Sequence, residues 1–157
     1  MDYTALGNER YAQFAALFWE YWLKVNGEDL SDLIVSETLG VEMPRVEYVL
    51  SYYLDQLRCS AELVTSKSGE VVGFVMYRIA CDHVLEIRHM YVSPKCSGLG
   101  LGKGLVDAIR AQYPIKIVLF QTHKGRPPNR LLEFTEKRRR LVGETEHLFT
   151  WLMDWES

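Results

Sequence analysis

The chain has 157 residues, which predicts a single domain, residues 1–157, with enough length to enclose a full hydrophobic core. Hydrophobic residues make up 48% of it and charged residues 25%, and the net charge of −3 argues against a dedicated nucleic-acid binder, whose surface is usually basic. Neither a secretory signal nor an apolar run of about 20 residues is visible, so we expect a cytoplasmic protein with no membrane partner.

Two amphipathic helices are predicted in the first third of the chain. Residues 8–24 form the first, with Asn8 as its cap, because apolar side chains recur there every three to four residues. Residues 44–57 form the second, with Pro44 in its first turn. Both helices are rich in aromatic side chains, most of which we expect in the core. Trp19 and Tyr52 lie off the apolar stripes and are candidates to line a pocket.

The middle of the chain changes to the two-residue alternation of strands. Residues 61–66 and 70–80 predict a hairpin with Gly69 in its turn, and residues 84–92 predict a third strand. The second of these strands is largely apolar on both faces, so we expect it in the centre of its sheet.

A strand–helix–strand unit follows the third strand. A helix is predicted over 101–112 and a short buried strand over 115–121, which a right-handed crossover would place parallel to the third strand. A helix over 130–139 and a strand over 147–155 complete the prediction. The fold class is therefore mixed α/β, with three layers, a mostly antiparallel sheet and one parallel β-α-β crossover.

Four glycines at alternate positions, 98 to 104, separate the third strand from the helix that follows it. A glycine-rich turn there offers successive backbone N–H groups, and the helix start adds partial positive charge, so the stretch predicts an anion site. The P-loop and dinucleotide patterns both fail, because Ser97, Lys103 and Gly104 stand at positions that those patterns reserve for other residues. The alternative is a loop that serves helix–sheet packing only, which one glycine would satisfy.

The stretch HMYVSPKCSGLGLGKGLVDAI resembles the central motif of the GNAT superfamily of N-acetyltransferases, V-x-P-x-x-[QR]-x-x-G-x-[GA]. Val92, Pro94, Gly100 and Gly102 match, whereas Ser97 stands where the family prefers Gln or Arg, so we expect weaker CoA binding. The resemblance implies a GNAT-like fold and an enzyme that moves an acetyl group from acetyl-CoA to a primary amine by direct attack.

The resemblance also implies the cofactor site. The thioester would lie between the strands 84–92 and 115–121, which splay apart in the family. The backbone of Met90, Tyr91 and Val92 would bind the pantetheine arm and the acetyl carbonyl. An asparagine near the last helix is matched by Asn129. The pyrophosphate would lie on Ser97, Gly98, Leu99, Gly100, Leu101, Gly102 and Lys103, the last adding a positive charge.

Glu86 is the candidate general base, which the protonated amine needs before it can attack. It lies four residues before Met90, so the two side chains share a face if the strand is unbroken. The alternative is a solvated carboxylate paired with Arg88, which would make Glu86 a weaker base. Arg88 could instead recognise a carboxylate on the acceptor.

The usual tyrosine acid of the family is missing. Thr135 takes its place, and a threonine hydroxyl is too weak an acid, so the step is left to water, to a residue such as His123, or to no general acid at all. The missing tyrosine leaves open a non-catalytic acyl-CoA binding module, and the basic run 136–140 leaves open a tRNA-directed acetyltransferase toxin, although nucleic acid is not the expected partner.

The acceptor stays open between a small molecule and a protein amine. The apolar segment 147–155 leaves a homodimer open. Finally, the three cysteines, Cys59, Cys81 and Cys96, are an odd number without metal-ligand spacing, so we expect free thiols and no metal site.

Overall fold

The structure, a computed structural model of the chain, describes residues 1–26, 33–35, 42–124 and 138–155. The helices are α1 (Tyr11–Asn26), α2 (Arg45–Ser51) and α3 (Leu101–Gln112) within those ranges. The strands there are β1 (Asp2–Ala5), β2 (Leu33–Val35), β3 (Glu42–Pro44), β4 (Ser60–Thr65), β5 (Val71–Ala80), β6 (Val84–Val92), β7 (Ile117–His123), β8 (Arg139–Glu144) and β9 (Leu148–Asp154).

Seven of these strands form one mixed sheet in the order β1-β4-β5-β6-β7-β9-β8, while β2 and β3 pair separately. All neighbours in the large sheet are antiparallel except β6 and β7, which run parallel on either side of the α3 crossover. The predicted fold class and the parallel crossover are thus confirmed. So is the central place of β5, whose residues Val71–Tyr77 are all buried between β4 and β6.

Helices cover both faces of the sheet and give the molecule its three layers. On one face, the apolar side of α3 packs on β5, β6, β7 and β9. On the other face, α1 and α2 pack on β4 and β5 through an aromatic cluster centred on Phe14, Phe18 and Phe74. No helix in the described ranges is long and apolar enough to cross a membrane.

The helix boundaries differ from the sequence prediction in two places. Asn8 does not cap α1 but starts a short 3₁₀ turn, Asn8–Arg10, that precedes it. Pro44 is the last residue of β3 rather than part of α2, which starts directly after it and continues as a five-residue π-helical turn, Tyr52–Gln56. A proline fits the end of a strand as well as the start of a helix, because it only removes one N–H donor.

The two edge strands were not predicted. β1 pairs with β4, and β8 pairs with β9, so the helix predicted over 130–139 is wrong at Arg139, which starts β8. The rest of that helix prediction lies outside the described residues. Edge strands carry charges on both faces and lack a clear alternation, as RRLVGE in β8 illustrates. The predicted strand 147–155 is confirmed as β9, but it lies inside the sheet with a partner on each side.

Candidate active site

The parallel strands β6 and β7 separate towards their carboxyl ends. They pair from Val84 with Ile117 to Ile87 with Phe120. Beyond that point, β6 continues to Val92 with a partner only in β5, while β7 continues with a partner only in β9. We call the resulting space the β6–β7 gap. It matches the predicted splaying of the two strands, and it exposes an edge of β6 backbone over its last residues.

A β-bulge lies in β6 at the start of this gap. Tyr77 faces Ile87 and Met76 faces His89, so Arg88 is an extra residue without a partner in β5. A bulge shifts the alternation of side chains by one residue. Leu85 and Ile87 therefore share the α3 face with Met90, which packs against the core there, while Glu86 lies on the opposite face. The expectation that Glu86 and Met90 share a face is wrong, because the strand is broken between them.

The glycine-rich loop has the backbone geometry of an anion site. Gly98 and Gly100 adopt left-handed φ angles of +84° and +72°, which favour glycine. Gly100 is the N-cap of α3 and makes no side-chain cap. Within the described ranges, the amides of residues 98–103 donate no backbone hydrogen bond. The amide of Ser97, however, already donates to the Pro94 carbonyl at 3.2 Å, so the series of open donors starts after Ser97.

The other two glycines allow close packing rather than a turn. A Cβ on Gly102 would lie 3.4 Å from the sulfur of Met90. A Cβ on Gly104 would overlap the ring of Tyr3, which lies directly over the helix. Gly98 and Gly100 therefore shape the loop, while Gly104 makes room for the N-terminal strand, which is the packing role that the sequence offered as the alternative.

The Lys103 ammonium is held in an ion pair and is not free to face the glycine-rich loop. Its ammonium donates to Oδ2 of Asp107 at 2.6 Å, one turn further along α3. Oδ1 of Asp107 accepts a hydrogen bond from the Trp155 indole at 2.9 Å. The Asp107 carboxylate thus links the end of β9 to α3, and it holds the cation that the sequence assigned to the pyrophosphate.

Two arginines are neighbours of the candidate base Glu86 in the sheet. The closest approach of the Arg88 guanidinium to Oε1 of Glu86 is 3.9 Å, with 36% and 26% of the two side chains exposed. Arg78 is the direct cross-strand partner of Glu86. Tyr53 lies close enough to Arg88 for its charge to oppose the rise that burial causes in the Tyr53 pKa. Tyr52, the neighbour of Tyr53, is 45% exposed.

The sequence analysis missed His89, which lies directly after the bulge. Its Nδ1 is 2.6 Å from the Tyr21 hydroxyl. The rings of Phe18, Trp22 and Tyr53 meet the imidazole edge-on, with the Tyr53 centroid only 4.5 Å away. Without the bulge, alternation would place His89 on the α3 face. No pattern in the sequence therefore brings it to the aromatic cluster of α1 and α2.

The remaining predicted residues lie in several separate parts of the molecule. Met90 and Val92 pack on the α3 side, whereas the Tyr91 hydroxyl accepts from Lys24 at 2.7 Å and donates to Glu20 at 2.8 Å. Asn129 and Thr135 lie outside the described residues, and His123 is the last residue of β7. Trp19 is half-buried. Cys59, Cys81 and Cys96 carry free thiols.

Two arginines of the basic run 136–140 are less available to nucleic acid than the sequence suggests. The guanidinium of Arg139 lies over the Trp151 ring at 4.7 Å, and that of Arg138 lies over the Trp155 ring at 5.7 Å. These two cations therefore pack on aromatic rings of the sheet end, which gives them a structural explanation that needs no nucleic acid.

Comparison with known proteins was made by sequence and by structure. The sequence model of the acetyltransferase (GNAT) family matches residues 14–124. No curated protein sequence matches this chain at a significant level.

Solved structures are similar over nearly the whole chain. A ribosomal-protein alanine N-acetyltransferase from Escherichia coli is 11% identical, with a TM-score of 0.63 and coverage of 98% of this chain and 92% of that one. PaiA N-acetyltransferase from Thermoplasma acidophilum, in complex with coenzyme A, is 13% identical, with a TM-score of 0.62 and coverage of 99% and 100%. A GNAT-family acetyltransferase from Staphylococcus aureus is 12% identical, with a TM-score of 0.62 and coverage of 99% of both chains.

At these identities the solved structures establish a shared fold, while the family match spans more than half of the chain and includes α3 and both parallel strands. The chain therefore belongs to the acetyltransferase (GNAT) family, and it is an N-acetyltransferase that uses acetyl-CoA as its donor.

Proposed function

We propose that this enzyme acetylates a primary amine by direct attack in the β6–β7 gap. The observation that carries the proposal is the position of the gap next to the open amides at the start of α3. A strand edge without a partner and an uncapped helix start are the two groups of backbone donors that an extended thioester ending in a diphosphate requires.

The diphosphate of the donor fits the loop between Gly98 and Lys103. Its backbone N–H groups are open, Gly98 and Gly100 carry no side chain, and the helix dipole of α3 favours an anion there. The pantetheine arm fits the edge of β6 that faces the gap, along Met90, Tyr91 and Val92. We assign Asn129 to the same site on the family resemblance.

Glu86 is our candidate for the group that removes the proton from the amine. The nitrogen then attacks the acetyl carbonyl, the new C–N bond forms as the C–S bond breaks, and the electron pair leaves on the sulfur. Oε1 of Glu86 lies 3.9 Å from the Arg88 guanidinium, which is too long for a hydrogen bond, so Arg88 does not occupy the carboxylate that is to accept the proton. After the attack the nitrogen gives up its second proton through solvent, and the thiolate takes one from solvent, so the products are the amide and the free thiol of coenzyme A.

The proposal is tested by two measurements on the intact chain. Calorimetric titration with coenzyme A should give saturable binding, and Gly100→Arg, which fills the loop, should abolish it. Release of free thiol from acetyl-CoA should then depend on an added amine. Binding without amine-dependent thiol release across a broad amine panel would instead favour a non-catalytic acyl-CoA module, and no binding at millimolar coenzyme A would contradict both.

A further inference from the structure

Arg88 directly follows the last residue of β6 that pairs with β7, and its guanidinium makes no hydrogen bond to the described residues. Its closest polar contact is the Glu86 carboxylate at 3.9 Å, too long for a hydrogen bond, and none of the described residues offers a shorter one. The side chain is 36% exposed, so its N–H donors can be reached by a ligand. Arg138 and Arg139, by contrast, lie over tryptophan rings.

The bulge explains why the guanidinium lies there. Arg88 is the extra residue opposite Met76 and Tyr77, so its position along β6 is set by the backbone and not by a cross-strand neighbour. Its charge acts on both Tyr53 and Cys59, which places it on the α2 side of the sheet, the same side as Glu86. An acceptor that enters the gap from that side meets a carboxylate and a guanidinium together.

The two charges are spaced for a molecule that carries both an amine and a carboxylate. Standard bond lengths and angles put the nitrogen of an α-amino acid about 2.5 Å from its carboxyl carbon. Glu86 and Arg88 approach each other to 3.9 Å, so one such molecule can hold its amine against Glu86 while a carboxylate accepts two hydrogen bonds from Arg88. A simple alkylamine would leave the guanidinium with only its 3.9 Å contact to Glu86.

We propose that the acceptor is a small amine that carries its own carboxylate, an amino acid or a close analogue, and that Arg88 binds this carboxylate. The proposal rests on the acetyl transfer argued above and narrows its substrate class. Arg88 takes no part in the bond changes: the amine proton passes to Glu86, the C–N bond forms, and the C–S bond breaks. Arg88 orients the amine and sets the selectivity among acceptors.

The test compares three forms of each acceptor on the intact enzyme: the free amino acid, its C-terminal amide and the matching amine without the carboxyl group. Thiol release should be fastest for free amino acids. Arg88→Gln should raise their KM about 10- to 100-fold, as expected for a lost hydrogen-bonded charge pair, and change KM for the amides less than 2-fold. Arg78→Gln is the matched control, because Arg78 is an exposed arginine on the same face, directly opposite Glu86.

Three results would overturn the proposal while leaving acetyl transfer intact. The amides or simple amines could be used as well as the amino acids, Arg88→Gln could affect all three forms equally, or Arg78→Gln could match it. If no amine in the panel is acetylated, binding of N-acetylamino acids to the enzyme–CoA complex decides: Arg88-dependent binding supports the proposal, and no binding contradicts it. The affinity for coenzyme A is measured separately for each variant and tests the proposed function. It should not change in these variants.

Discussion

Glu86 and Met90 point to opposite faces of β6, although they are four residues apart and would share a face in a regular strand. Arg88 is the extra residue that separates them. Met90 packs towards α3, whereas Glu86 faces the side of α1 and α2 together with His89. The acceptor amine should therefore approach from the α1–α2 side of the gap, while the backbone of Met90 stays available to the donor.

Glu86→Gln tests the assignment of the base. We expect kcat/KM for the amine to fall by about 10²–10⁴, because the attacking nitrogen would lose its proton acceptor. The affinity for coenzyme A should not change, which calorimetry can verify. Glu9→Gln is the control, since Glu9 is an exposed carboxylate whose ion pair is with its neighbour Arg10. Equal turnover of Glu86→Gln and the unmodified enzyme at every pH would show that another group removes the proton.

Asp107→Asn tests whether the Lys103 cation contributes to donor binding. The asparagine keeps an oxygen for the Trp155 indole but releases Lys103 from its ion pair. Since exposed pairs of this kind are worth up to about 1 kcal/mol, we expect coenzyme A to bind about 2- to 5-fold more tightly. The gain should disappear in a Lys103→Gln background. A gain of equal size in that background would mean that Lys103 is not responsible.

Gly104→Ala tests the packing of Tyr3 on α3. An added methyl group overlaps the Tyr3 ring, so we expect a loss of about 1 kcal/mol in the free energy of unfolding. In a Tyr3→Ala background the same substitution should be stabilising by about 0.5–1 kcal/mol, because alanine is the better helix former. Urea unfolding of the four proteins measures the coupling. Identical effects in the two backgrounds would contradict the overlap.

Glu62→Gln tests the burial of a carboxyl group in β4. Glu62 is only 1% exposed, and burial raises its pKa above the usual value, an effect that a hydrogen bond from Gln112 partly offsets. A raised pKa means that the folded state holds the Glu62 proton more tightly than the unfolded state does. The free energy of unfolding therefore falls as the pH rises above the pKa that Glu62 has in the unfolded state.

The stability advantage of Glu62→Gln should therefore grow between pH 4 and pH 8. A gain of about 1 kcal/mol at neutral pH corresponds to about 2–4 °C in Tm for a domain of this size. Urea unfolding at a series of pH values measures this gain in the free energy of unfolding. Glu146→Gln serves as the control, because Glu146 is an exposed residue of the β8–β9 turn. A difference between Glu62→Gln and the unmodified chain that stays constant with pH would contradict the raised pKa.

Local patterns were sufficient for the central elements of the fold. The run EVVGFVMYRIA identified β5 as a buried central strand, since only such a strand is apolar on both faces. The segment from Val92 to Gln112 identified the loop and α3, because glycine spacing and helical periodicity are both local properties. The edge strands were missed for the opposite reason: β1 and β8 are short or charged, and pairing with β4 and β9 alone makes them strands.

The sequence by itself determined the three-layer fold, the parallel crossover and the glycine-rich loop before α3, because each depends on residues close together in the chain. Only the tertiary structure decided which side chains meet in the β6–β7 gap. The bulge at Arg88 depends on how β6 pairs with β5, and it brings His89 to the face of α1 and α2, the same face as Glu86. The role of Gly104 depends likewise on Tyr3, about a hundred residues earlier in the chain. The direction of the Tyr3 side chain is set by the hydrogen-bond register of its strand and not by its neighbours in sequence.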